Sequence, residues 1–402
     1  MSETMRHRCA SVMLCLLVAA CGGGGGGGSS ASNYVATLPS LSATNVAPLM
    51  VEAGPGSNVN MPYVTVTVCV PGTSSCNSID HVLLDTGSTG LRLFASKVDV
   101  ALPAQATASS SDLGECAHFL KTMAWGRVKL ADVQIGGESA ASVPIQLMDA
   151  SDARRPLACT SSPLLSTSSS ANTQALSANG ILGVGLLAND NQTYFNCAAS
   201  TRNCAPMNNG PTPAEQVQNP VGFFATNNNG VVLQLPALPA TGALRAQGYL
   251  IFGVGTQPNN QLGAAKIVPV NSAGFFTTVY EGVNMNSSFM DSGSNGLFFG
   301  NASVAICTGA LTDFYCPTSA RSLSASIQLD SGMANVAFSI AGADTLLAAN
   351  NYFAFNNLGG MLDNSSFDWG LPFFFGRSVY TVIEQRSVPG TPLIGPFNAF
   401  TN

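Results

Sequence analysis

The chain carries one loop twice. Residues 82–94 read VLLDTGSTGLRLF and residues 289–300 read FMDSGSNGLFFG. In each, apolar residues lead into an Asp, followed by Thr or Ser, Gly, Ser, and then a second Gly with an apolar run. Asp85 and Asp291 stand in opposite halves of the 402 residues. An Asp at the end of an apolar strand, turned by Gly, presents its carboxylate from a rigid backbone. Two such loops facing each other would form a carboxylate pair. Two carboxylates that close cannot both ionise easily, so one holds a proton where the other does not. Such a pair can work as base and acid around one water molecule.

Composition sets the surroundings for that pair. Apolar residues make up 46% of the chain and charged residues only 9%, well below the usual quarter. Ser, Thr, Asn and Gly supply the polar surface, and these residues favour turns over helix interiors. That pattern suits an exported, mostly β protein. The net charge is −6 and no basic stripe occurs, so nucleic acid is not expected as a partner.

The N-terminus reads as a targeting segment. Arg6 and Arg8 precede an apolar stretch from Val12 to Ala20, and Val18-Ala19-Ala20-Cys21 resembles a bacterial lipobox. The resemblance implies a signal peptide over 1–20, lipidation of Cys21 and attachment to the cell envelope. Gly at position 22 resembles the outer-membrane sorting pattern, facing periplasm or cell surface. Gly22 to Gly28 read as a flexible tether, and residues 21–47 as a tether with a loose N-terminal segment. Beyond Cys9, Cys15 and Cys21, eight cysteines remain: Cys69, Cys76, Cys116, Cys159, Cys197, Cys204, Cys307 and Cys316. An even count in an exported chain reads as four disulfides, with 105 possible pairings. Close spacing suggests Cys69–Cys76, Cys197–Cys204 and Cys307–Cys316, which leaves Cys116–Cys159. No CxxC occurs, and only His81 and His118 lie beyond the signal, so no metal is expected.

Strand patterns dominate from residue 61 onward. Residues 63–70 alternate apolar with polar, the period of a half-buried strand. Ile79 to Leu84 lead into Asp85. Residues 123–135 and 143–148 read as strands around a Gly136-Gly137 turn. Further strands are expected at 231–235, 248–253, 266–270, 275–280, 336–340, 352–355 and 378–384. Pro236 to Gln247 lacks periodicity and divides the chain into expected lobes at 48–240 and 241–402.

Two more motifs complete the pattern. Asn179-Gly180-Ile181-Leu182-Gly183 follows the first Asp, and Phe373-Phe374-Phe375-Gly376 with Arg377 to Glu384 follows the second. Each half thus reads Asp-Thr/Ser-Gly, then apolar-apolar-Gly. In this order the motifs resemble the pepsin-like aspartic peptidases, over roughly residues 50–390. VQIGG at 133–137, GYLIFG at 248–253 and VAFSIAG at 336–342 extend the resemblance. It implies a mostly β, bilobal fold with pseudo-two-fold symmetry, and a catalytic pair, Asp85 and Asp291. Thr86 and Ser292 would hydrogen-bond across the pair. Ser88 and Ser294 would support the outer carboxylate oxygens, and Gly87 and Gly293 would permit close approach. The family's flap Tyr corresponds to Phe119, with Trp125 as the neighbouring alternative. Arg92 stands where a family Trp often meets that Tyr, and Asn179 and Arg377 stand where Asp is frequent.

The expected function is therefore an aspartic endopeptidase acting on extended peptides, monomeric and without cofactor. The alternative is a non-catalytic envelope protein that binds peptide or carbohydrate on the same fold. A serine hydrolase is not indicated, since Ser88 lacks a GxSxG elbow.

Overall fold

The structure, a computed structural model, describes residues 34–107, 111–198, 204–207, 210–348 and 351–401. The signal segment, Cys21 and the glycine tether lie outside the described residues.

The fold is mostly β. Alternation in Pro62–Cys69 buries one face and pairs it antiparallel with Cys76–Asp85, and the Cys69–Cys76 disulfide joins the strand ends. Met123–Ile135 and Glu138–Met148 form a long hairpin around the Gly136-Gly137 turn. The preceding strand, Asp112–His118, pairs with Met123–Ile135 and makes a second hairpin whose tip is 119–122. The other disulfides join Cys116 to Cys159, Cys197 to Cys204 and Cys307 to Cys316.

A separate sheet delivers the second Asp loop. Phe276–Tyr280 pairs with Val283–Asp291 and with Arg321–Leu329, which in turn pairs with Gly332–Ile340. Its core is aromatic. Phe299 stacks on Phe367 at 4.8 Å, and Phe367 on Trp369 at 4.1 Å. The Trp369 indole N–H donates to Thr278 Oγ1, so its polar edge is satisfied in the interior.

Two expectations are corrected, for residues 35–47 and 352–355. Residues 35–47 are not loose: Val35–Thr37 runs parallel to Arg245–Phe252, and Val46–Val51 pairs antiparallel with that same strand. Short length and Pro48 hid these strands from a periodicity reading. The division at 240/241 falls in the connection between Gly230–Gln234 and Arg245–Phe252, which pair with each other. Residues 352–355 form no strand. They make one bridge, Ala354 to Ala243, and bury Phe353 and Phe355 in an irregular segment held by the Asn60 side chain.

Candidate active site

Each Asp ends a strand and faces a parallel partner that enters beside it. Cys76–Asp85 lies parallel to Gly180–Val184, with Gly183 opposite Asp85. Val283–Asp291 lies parallel to Phe367–Gly370, with Gly370 opposite Asp291. The second partner is thus Asp368-Trp369-Gly370, not the expected Phe374-Phe375-Gly376. Leu371–Phe374 is instead a short buried helix opened by Pro372. Only Gly fits at 370, where a Cβ would stand 2.1 Å from the Gly296 carbonyl oxygen.

The two loops repeat one hydrogen-bond pattern. Asp85 Oδ1 accepts from the Gly87 N–H at 2.8 Å and Oδ2 from the Ser88 hydroxyl at 2.5 Å. Asp291 Oδ1 accepts from the Gly293 N–H at 2.7 Å and Oδ2 from the Ser294 hydroxyl at 2.8 Å. Four further bonds tie one loop to the other. The Thr86 N–H donates to Ser292 Oγ at 3.1 Å, and the Ser292 N–H to Thr86 Oγ1 at 2.9 Å. The Thr86 hydroxyl donates to the Met290 carbonyl and the Ser292 hydroxyl to the Leu84 carbonyl. Each hydroxyl gives one bond and takes one, so the grip is fully satisfied in a buried place.

Close approach is built into the glycines. A Cβ on Gly87 would lie 2.7 Å from Asp291 Cγ, and one on Gly293 would lie 2.8 Å from Asp85 Oδ1. Any side chain there would drive the carboxyls apart. Burial, and then the neighbouring Asp85 carboxylate, push the Asp291 carboxyl well above the usual range. The pair therefore holds one proton between its two carboxyls through conditions in which a solvated Asp has lost its own.

The hairpin tip places Phe119 beside an apolar cluster that includes Tyr63 and Leu83. The Arg92 guanidinium lies 6.0 Å from the Phe119 ring. Trp125 does not reach the tip. It is buried against Phe195, and its N–H meets Asp152. Lys121 at the tip forms an ion pair with Asp313 at 2.9 Å. Asp313 belongs to the segment closed by the Cys307–Cys316 disulfide, so the hairpin reaches from the elements around Asp85 to those around Asp291.

Sequence reasoning missed a buried charge cluster under the first loop. Arg92 donates to Glu115 Oε1 and Asp190 Oδ2, each at 2.6 Å, and to the Thr89 carbonyl. The Tyr194 hydroxyl donates to the other Asp190 oxygen. Burial, together with Asp190, outweighs the attraction of Arg92 and raises the Glu115 carboxyl well above its usual range. A charged residue inside the apolar run TGLRLF was the available signal, because a buried cation requires partners. Asn179 binds Asp80 through its side-chain amide, and Arg377 stacks over Phe373. Neither belongs to the Asp pair. Asp368 was also missed and lies beside Asp291. Among the described residues, no group of three or more His, Cys, Asp or Glu is arranged to hold a metal ion.

The chain belongs to the family described as Protein of unknown function (DUF3443), whose sequence profile matches residues 41–400. No curated protein matches it. Among solved structures it is similar to the crystal structure of aspartic proteinase from Irpex lacteus. The identity is 14% and the TM-score 0.50, over 88% of this chain and 96% of that one. A likeness at that identity establishes a pepsin-like fold and no more.

Proposed function

We propose that the protein is an aspartic endopeptidase of bilobal pepsin-like architecture, with Asp85 and Asp291 as its catalytic pair. The observation that carries this reading is the reciprocal Thr86–Ser292 grip, which holds two carboxyls in contact with matched Ser88 and Ser294 supports. A protein that only bound a ligand would not need two carboxyls held at such electrostatic cost. Water bound between the pair gives a proton to the Asp85 carboxylate as its oxygen attacks the peptide carbonyl. Asp291, protonated, donates to the carbonyl oxygen, which becomes a hydroxyl of the tetrahedral intermediate. Collapse then breaks the C–N bond: the proton held by Asp85 passes to the departing amine, and a hydroxyl of the intermediate returns its proton to Asp291 as the carboxylic acid forms. The hairpin carrying Phe119 and Lys121 covers an extended peptide, whose backbone adds to the strands beside it.

Cleavage of a broad peptide library by the purified, oxidised protein from acid to neutral pH, with and without pepstatin, tests the reading. Asp85→Asn and Asp291→Asn are each expected to lower kcat/KM by about 10⁴-fold or more. Absence of cleavage by well-folded protein overturns the proposal.

A further inference from the structure

The partner strands of the two Asp loops differ at one position. In the first, Ile181 lies opposite Leu83, two residues before Asp85. It is buried in an apolar cluster. The same place in the second strand, opposite Phe289 and two residues before Asp291, holds Asp368. Asp368 is 3% exposed. Its cross-strand neighbours are Phe289 on one side and Phe298 on the other. Among the described residues its Oδ1 has no hydrogen-bond partner. On the strand face that Asp368 shares with Gly370 stands Ser294, whose Cβ would lie 3.1 Å from a Cβ built on Gly370, and the charges that bear on Asp368 are the carboxyls of Asp291 and Asp85.

An ionised carboxylate would be poorly held there. It would be a third negative group beside two carboxyls, walled by phenyl rings, with no cation against it. Burial and the two neighbouring carboxyls push it well above the usual carboxylate range. A protonated Asp368 gains what the site can use, a donor. Ser294 has one hydroxyl proton, and it points to Asp291 Oδ2. Its lone pairs remain free to accept. The bonds would then run in one direction, from the Asp368 O–H to Ser294 Oγ, and from the Ser294 O–H to Asp291 Oδ2. Successive bonds of this kind polarise one another.

We infer that Asp368 is a positioning residue of the Asp pair, one that stays protonated and fixes the Ser294 hydroxyl on Asp291 by donating to it. Its bearing on cleavage rests on the catalytic reading given above. Its protonation and its grip on Ser294 do not. The consequence is a directed, one-sided support. Asp85 receives a hydroxyl bond from Ser88 with Ile181 behind it, while Asp291 receives one that is itself held in place.

Carboxyl carbon-13 NMR of Asp-labelled protein tests this without any substrate. Resonances are assigned from their loss in Asp368→Asn, Asp291→Asn and Asp85→Asn. The Asp368 signal is expected to stay at its protonated position at neutral pH. In Asp368→Ile, which copies Ile181, the donor is lost and the Asp291 titration should move to higher pH. In Asp368→Asn the amide still donates to Ser294, so the Asp291 titration should stay in place. The inference is overturned if Asp368 ionises with the surface carboxylates, or if both variants move Asp291 alike. Thermal unfolding gives an independent check. The unfolded chain releases the Asp368 proton near pH 4, whereas the folded protein keeps it, so the wild type loses stability as pH rises above about 4. Asp368→Asn has no such proton, and its Tm should gain on the wild type from acid to neutral pH. A constant difference would contradict the inference. If no peptide is cleaved, the enzymatic reading falls, and the carboxyl titrations still decide the role of Asp368.

Discussion

Behind Asp85, the partner strand offers Ile181 and Leu182, and a buried cluster joins Arg92 to Glu115 and Asp190, with the Tyr194 hydroxyl on Asp190. Behind Asp291, the partner strand offers Trp369 on one face and a carboxyl, Asp368, on the other, set between Phe289 and Phe298. The loops in front share the hydrogen bonds that hold the two carboxyls and tie one loop to the other. The layers behind them share little. Loop geometry fixes where the two carboxyls sit, while the layers behind them place different groups at matching positions. Local backbone repetition is thus compatible with chemical inequality in the layer behind it.

Three substitutions test that contrast, in addition to those at the pair and at Asp368. The largest expected effect on stability is at Arg92. Arg92→Leu leaves Glu115 and Asp190 buried without their cation, at a cost of about 3–5 kcal/mol in denaturant unfolding. Adding Glu115→Leu should recover part of that loss, since an apolar replacement of a buried pair is far milder than half of one. A small effect of Arg92→Leu alone would mean that the first half does not depend on its charge cluster. Thr86→Val comes next. It removes a donor to Met290 and an acceptor for the Ser292 N–H, leaving buried backbone groups unpaired at about 1–3 kcal/mol. Unfolding midpoints would show this, and an unchanged midpoint would mean that the loops are held together elsewhere. The smallest effect is expected for Lys121→Ala. Its ion pair with Asp313 is largely exposed, so its loss should cost under about 1 kcal/mol. A larger loss would place the hairpin tip among the contacts that hold the two halves together.

The Asp loops were legible because their chemistry needs short hydroxyl residues and glycine in a fixed order. Asp85-Thr86-Gly87-Ser88 and Asp291-Ser292-Gly293-Ser294 admit few other arrangements. The partner strand of the second loop was misplaced for a physical reason. Two runs there end in Gly, and the true one, Asp368-Trp369-Gly370, breaks the apolar pattern with the very residue that makes it chemically distinct. Phe373 to Phe375 looked better as a strand and became a helix because Pro372 favours a first helical turn. Glu115 and Asp190 were invisible because they meet through the fold, with nothing local to link them. The cysteine spacing pointed to three of the four pairs that the structure joins, since short loops close most readily, and Cys116–Cys159 was the pair left over. The strands at 35–37 and 46–51 left little trace, because their order comes from the strand they pair with.

That last pairing has a consequence in time. Val35–Thr37 and Val46–Val51 are among the earliest strands to be synthesised, yet both pair with Arg245–Phe252. The hydrogen bonds to that strand cannot close until more than half of the 402 residues have been made, whereas Val46–Val51 meets Pro62–Cys69 only at Met50 and Val51. Until then this beginning presents open strand edges, which are templates for wrong pairing. Such distant contacts also slow folding. A nascent chain of this kind cannot finish its first half first. It reaches its final shape only when the middle of the sequence returns to its start.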